Sequence, residues 1–78
     1  VSGKVNGWRN RATWSVSLWL LNEEALYRRM VDHFRTGRVT RDRVRDFCVD
    51  VFGTETPDGH SLESVHWPEI VAMVRDSR

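Results

Sequence analysis

Three of the four tryptophans in this chain fall between Gly7 and Asn22, in the stretch GWRNRATWSVSLWLLN. A chain of 78 residues cannot leave that much indole surface in water, so the segment is either the centre of the core or a face shown to a partner. The packing has to be aromatic and aliphatic. A domain this small gains only ~3–5 kcal/mol from a single core. Cys48 is the only cysteine and so cannot form an internal disulfide, and His33, His60 and His66 have no cysteine partners for a structural zinc. Hydrophobic content of 40% beside 29% charged residues is too apolar for disorder.

Periodicity divides the chain into four short helices. Asn10 stands where an N-cap would, followed by Trp14, Leu18 and Leu21 at helical spacing, with Val16, Trp19 and Leu20 widening the stripe. A helix is expected from about Arg11 to Leu21. The same residues also alternate as a strand would, but Trp19 and Leu21 would then put large apolar groups on the polar face, which favours the helix. Asn22 is placed to end this helix and cap a second, Glu23 to Arg35, whose inward set is Leu26, Met30 and Phe34 with Tyr27 and Val31. Thr36 and Gly37 stop it.

Thr40 caps a third helix with the stripe Val44, Phe47, Cys48, Val51 and Phe52, and Gly53 ends it. Thr54 to Ser64 reads as a loop with a tight turn at Thr56-Pro57-Asp58-Gly59. Pro68 then opens a last helix that turns Trp67, Ile70, Val71 and Val74 inward. The expected fold class is all-α, one domain over residues 1–78, with residues 1–7 as a flexible arm. Trp14, Trp19 and Trp67 are assigned to the core. Trp8, beside Arg9 and Arg11, either staples the arm onto the bundle, the favoured reading, or contacts a ligand.

The net charge of +1 hides an asymmetry. Between Arg28 and Arg45 seven arginines face Asp32 and Asp42, a balance of +5, whereas Asp46 to Arg78 carries −5. The arginines either form a basic patch for a partner or pair along their own helices, as Asp42 with Arg45 and Arg43 with Asp46 at i, i+3. Arginine in place of lysine suits planar contacts to carboxylate or phosphate. The candidate contact residues are Trp8, Arg9, Arg11, Arg28, Arg29, Arg35, Arg38 and Arg41. Sequence-specific DNA reading by helices two and three is disfavoured, because the arginines crowd the first turn of the third helix and Asp46 and Asp50 share its exposed side.

Chemistry leaves little trace. Cys48 sits in an apolar stripe, the histidines lack metal-pair spacing, and there is no phosphate-binding glycine loop or nucleophile elbow. A domain of this length also has little room for a pocket of ~300 Å³ or more. No enzyme activity, cofactor, metal or small-molecule substrate is expected. No apolar run approaches the ~20 residues of a membrane span, and the start of the chain has no signal-peptide pattern, so no membrane association and a cytoplasmic location are expected.

Gly7, Trp8, Asn10, Thr13, Trp14, Leu18, Trp19, Asn22, Glu23, Leu26 and Tyr27, with the later Thr56-Pro57-Asp58-Gly59 turn, carry a resemblance. The pattern is similar to that of a family of small proteins carried by bacteriophages, plasmids and other mobile elements. Here Glu23-Glu24-Ala25 replaces the more usual Asp-Glu-Gly. The resemblance implies a non-enzymatic accessory protein of the host cytoplasm that binds a host protein or protein complex, including inhibitors of restriction or CRISPR defence. Nucleic-acid binding through the arginines is the alternative.

Overall fold

The computed structural model describes residues 7–77; the expected flexible arm lies outside them except for Gly7. These residues form four α-helices, α1 (Arg11–Asn22), α2 (Glu24–His33), α3 (Arg41–Phe52) and α4 (Trp67–Ser77), with one turn of 3₁₀ helix at Leu62–Ser64. The all-α expectation holds. The helical reading of the tryptophan segment holds too, over its strand alternative.

Local chemistry accounts for the ends. Asn10 is extended, and its Oδ1 accepts from the Thr13 N–H at 2.9 Å; Thr40 caps α3 by accepting from the Arg43 N–H at 3.2 Å. Such caps satisfy amides that the first turn leaves unpaired and stabilise a helix by ~1 kcal/mol. Gly53, at φ +80°, closes α3 by donating to the Val49 carbonyl.

The junction of α1 and α2 differs from expectation. The Glu23 N–H donates to the Trp19 carbonyl, which completes the last turn of α1 through Asn22. The break therefore falls at Glu23, and α2 begins without a side-chain cap. At its other end α2 stops at His33, two residues early. Phe34 turns fully into the core, and the Arg43 guanidinium crosses from α3 to take the freed carbonyls of His33, Thr36 and Arg38. A cation at a helix C-terminus also complements the helix dipole.

Between α3 and α4 the chain makes a small hairpin. Glu55 and Ser61 form an antiparallel bridge, Thr56 and His60 pair at 2.9 Å, and the Gly59 N–H closes the Thr56-Pro57-Asp58-Gly59 turn onto the Thr56 carbonyl at 2.8 Å. The tight turn is as expected, whereas the bridge and the 3₁₀ turn were not foreseen. The core unites Val16 and Leu20 of α1, Met30 and Phe34, Val44 and Phe47, and Trp67, Ile70 and Val74.

The main correction concerns α1: Val16 and Leu20 of the expected stripe are fully buried, but its leading members Trp14, Leu18 and Leu21 are not, and small residues complete the inner face. Its buried residues are Ala12, Thr13, Ser15, Val16, Ser17 and Leu20. Trp14, Leu18 and Trp19 are only half-buried and Leu21 is exposed. Of the tryptophans, Trp67 alone is buried, at 5% exposure. The reason is steric: small side chains let α1 approach α4 and the hairpin closely, and an indole at those positions would hold them apart. The buried hydroxyls remain hydrogen-bonded, and no buried side-chain nitrogen or oxygen among the described residues lacks a partner.

Candidate functional site

The N-terminal motif and the hairpin turn form one hydrogen-bonded unit. Ser15 Oγ lies 3.0 Å from Thr56 Oγ1 and 3.2 Å from Asp58 Oδ2, and the Trp19 indole N–H donates to the same Asp58 oxygen at 3.0 Å. At the start of α1, Asn10 Nδ2 donates to the Ser64 carbonyl, the His66 N–H donates to Thr13 Oγ1, and the Arg9 N–H donates to Glu69. Asn10, Thr13, Trp19 and the turn are thus explained by architecture: they fasten α1 to a segment about 50 residues later. Trp8 packs against the core, and the arm that the stapling reading attaches to it lies outside the described residues apart from Gly7.

The eight candidate contact residues do not form one group. Arg9 lies beside the first turn of α4, its backbone N–H donating to Glu69, and Arg11 is the exposed first residue of α1. Arg38 and Arg41 flank Val39, whose carbonyl accepts from Arg75 in the last turn of α4. On α2 and just past its end, Arg28 pairs with Glu24 at 2.6 Å, Arg29 with Asp50 at 2.7 Å and Arg35 with Asp32 at 3.2 Å. These exposed pairs stabilise little. The α3 pairs weighed as the alternative, Asp42 with Arg45 and Arg43 with Asp46, do not form: Arg43 is drawn onto the carbonyls at the end of α2, its guanidinium 5.1 Å from the Phe34 ring centre, and Arg45 has no ion pair among the described residues. Arg38, Arg41 and Arg45 therefore remain exposed and without an ion pair among the described residues. Asp42 and Asp46 stand on the neighbouring flank of α3.

A second surface is the partner-facing alternative for the tryptophan segment, which the sequence reading set aside when it assigned Trp14 and Trp19 to the core. Trp14, Leu18 and Leu21, at i, i+4 and i+7, share the outward side of α1 with exposed Arg11 and Asn22. Leu21 is 41% exposed. Periodicity detects such a stripe but cannot say which way it points. Beside it, Leu18, Trp19, Asn22 and Glu23 line a hollow of about 270 Å³.

Among the described residues, two open grooves are far larger than the ~300 Å³ for which so short a chain was expected to have little room. One, about 580 Å³, runs between α3 and the hairpin past Arg45, Val49, Leu62 and Glu63. The other, about 540 Å³, lies between Trp8, Leu21 and the Glu69–Met73–Asp76 side of α4. They arise where the hairpin and the α1 entry bridge helices without filling the space between them. Cys48 is fully buried, and burial pushes its thiol up to about 12, so it supplies no thiolate near neutral pH. His33 packs its ring against Phe34 and Phe47, with centroids 4.8 and 5.2 Å away. Among the described residues no three metal-ligating side chains converge, and no helix is long and apolar enough to cross a membrane.

These features define a small all-α domain pinned by its N-terminal motif to a hairpin turn. The chain belongs to a family of unknown function, DUF7249, whose model matches residues 2–77. No curated protein and no solved structure matches it.

Proposed function

We propose that this chain is a non-enzymatic binding module, an accessory protein of phage or mobile-element type that docks on a host protein complex, including complexes of defence. The observation that carries the reading is the exposed set Arg38, Arg41 and Arg45, which no carboxylate neutralises among the described residues. Desolvated arginines are frequent anchors of protein interfaces. Asp42 and Asp46 alongside them would repel a continuous phosphate backbone but match a protein surface of mixed charge. Arg28, Arg29 and Arg35 are already engaged within the chain and belong to the rim of such a surface. The mobile-element context rests on the sequence resemblance alone.

Affinity capture from host lysate with and without nuclease tests this. The chain is expected to retain a protein partner insensitive to nuclease and to lose it when Arg38, Arg41 and Arg45 are all changed to glutamate. Capture that survives the triple change would remove the assignment. The same guanidiniums support the second reading, nucleic-acid binding. In that case affinity falls steeply between ~50 and ~200 mM salt in an electrophoretic titration, and nuclease abolishes capture.

A further inference from the structure

We infer that the outward stripe of α1 seats a second copy of the same chain, antiparallel and related by a two-fold axis. Trp14 and Leu18 are half-buried and lie outside the set of apolar side chains that pack against the core, and Leu21 is exposed. The inner side of the helix is already filled. The partner is read from charge at the two ends of this helix. Arg9 and Arg11 stand at its start and Glu23 just past its end, all exposed and without an ion pair among the described residues. A parallel copy would set like charges together. An antiparallel copy sets Arg11 of each chain toward Glu23 of the other and also opposes the two helix dipoles.

The register follows from the spacing. With Leu18 on the axis, Trp14 of one copy lies at the level of Asn22 of the other, each about 6 Å along the helix from the centre at 1.5 Å per residue. Trp14 and Leu21 share one flank of the stripe at about 100° per residue, and the two-fold axis keeps that flank the same in both copies, so each indole meets the partner's Leu21, which is 41% exposed. Each copy offers both groups, so the contact is isologous and closes as a dimer, not as a fibre. One helix face is a small interface beside the ~800 Å² per partner of a standard complex, so the dimer dissociates on dilution. It is independent of the arginines invoked for host binding.

Sedimentation equilibrium of the full chain from ~1 µM to ~1 mM tests this, with circular dichroism confirming that each variant is folded. The wild type is expected to show a monomer–dimer equilibrium. Leu18→Glu, which places two carboxylates on the axis, should be monomeric throughout. Arg11→Glu should weaken association about tenfold or more, and adding Glu23→Arg to it should restore association. A wild type that is monomeric over the whole range overturns the inference, as does a dimer that survives Leu18→Glu or a folded double variant that fails to recover.

Discussion

The indole N–H of Trp19 and the carboxylate of Asp58, 39 residues apart in the chain, meet at 3.0 Å, and Ser15 reaches the same oxygen from one turn earlier on α1. This contact sets the position of the hairpin against α1 and explains why a tryptophan at the edge of a core is there at all. Its indole packs at the rim while its polar atom holds a turn.

A double-mutant cycle measures that link. Asp58→Ala and Trp19→Phe are each expected to cost ~1 kcal/mol, with a coupling of at least ~0.5 kcal/mol between them in urea denaturation, the low end being set by the exposure of Asp58. Additive effects would mean that the bond does not help to fasten the hairpin.

The four tryptophans should differ sharply in what they contribute. Trp67→Ala removes a side chain that is 5% exposed and is expected to cost ~3–5 kcal/mol. Trp14→Ala, on the outward side of α1, should cost below ~1 kcal/mol in the dilute monomer. Thermal melts of the two variants give the comparison, and equal losses would return Trp14 to the core.

Ser17 supplies the complementary test. Polar and only 2% exposed, it donates to the Trp14 carbonyl at 2.7 Å. Ser17→Leu would look favourable by hydropathy, yet it should destabilise by ~1–3 kcal/mol through overpacking. A gain in stability by chemical denaturation would refute the close approach of α1 to its neighbours.

Arg43 and Gly37 are expected to fail together. Gly37 has φ +80°, and a Cβ built there would lie 2.8 Å from Arg43 Nη1. Gly37→Ala should cost ~1–2 kcal/mol from backbone conformation alone, with more from displacing the guanidinium. Arg43→Lys, which keeps the charge but loses the planar fork across three carbonyls, should lower the melting temperature by several degrees, on the order of ~1–2 kcal/mol. If Arg43→Lys melts like the wild type, charge alone is sufficient there.

Cys48 gives a pH prediction of definite sign. Its thiol is held neutral in the fold, raised from 9.0 to about 12 by burial. Below about pH 9 that stabilisation is fully present. Above it the unfolded chain ionises first, so stability falls as pH rises toward 12, by up to ~1.4 kcal/mol per pH unit. Cys48→Ala should flatten this part of the profile in denaturant titrations at about pH 8 and about pH 10. Thiol labelling of the native protein should be slow and limited by opening of the fold.

Much of this fold is written locally. Asn10, Thr40 and Gly53 mark helix ends because a cap is a contact between neighbours in the chain. Val44, Phe47 and Cys48 face inward as expected because α3 has polar residues on its other side. The candidate site was less legible. Asp42 and Asp46 are well spaced to neutralise Arg45 and Arg43, but Arg43 finds carbonyls around the end of α2 that no spacing rule includes, leaving Arg45 unpaired among the described residues.

The sequence by itself determined where the helices lie and that the chain is all-α, since caps, stops and turn residues act over a few positions. Only the tertiary structure decided which side of α1 is inside. That helix is apolar on both flanks, so periodicity fits either orientation. The choice fell to shape and to distant hydrogen bonds: Thr13 and Ser15 are small enough to be covered and find partners 53 and 41 residues away, which leaves Trp14, Leu18 and Leu21 turned outward.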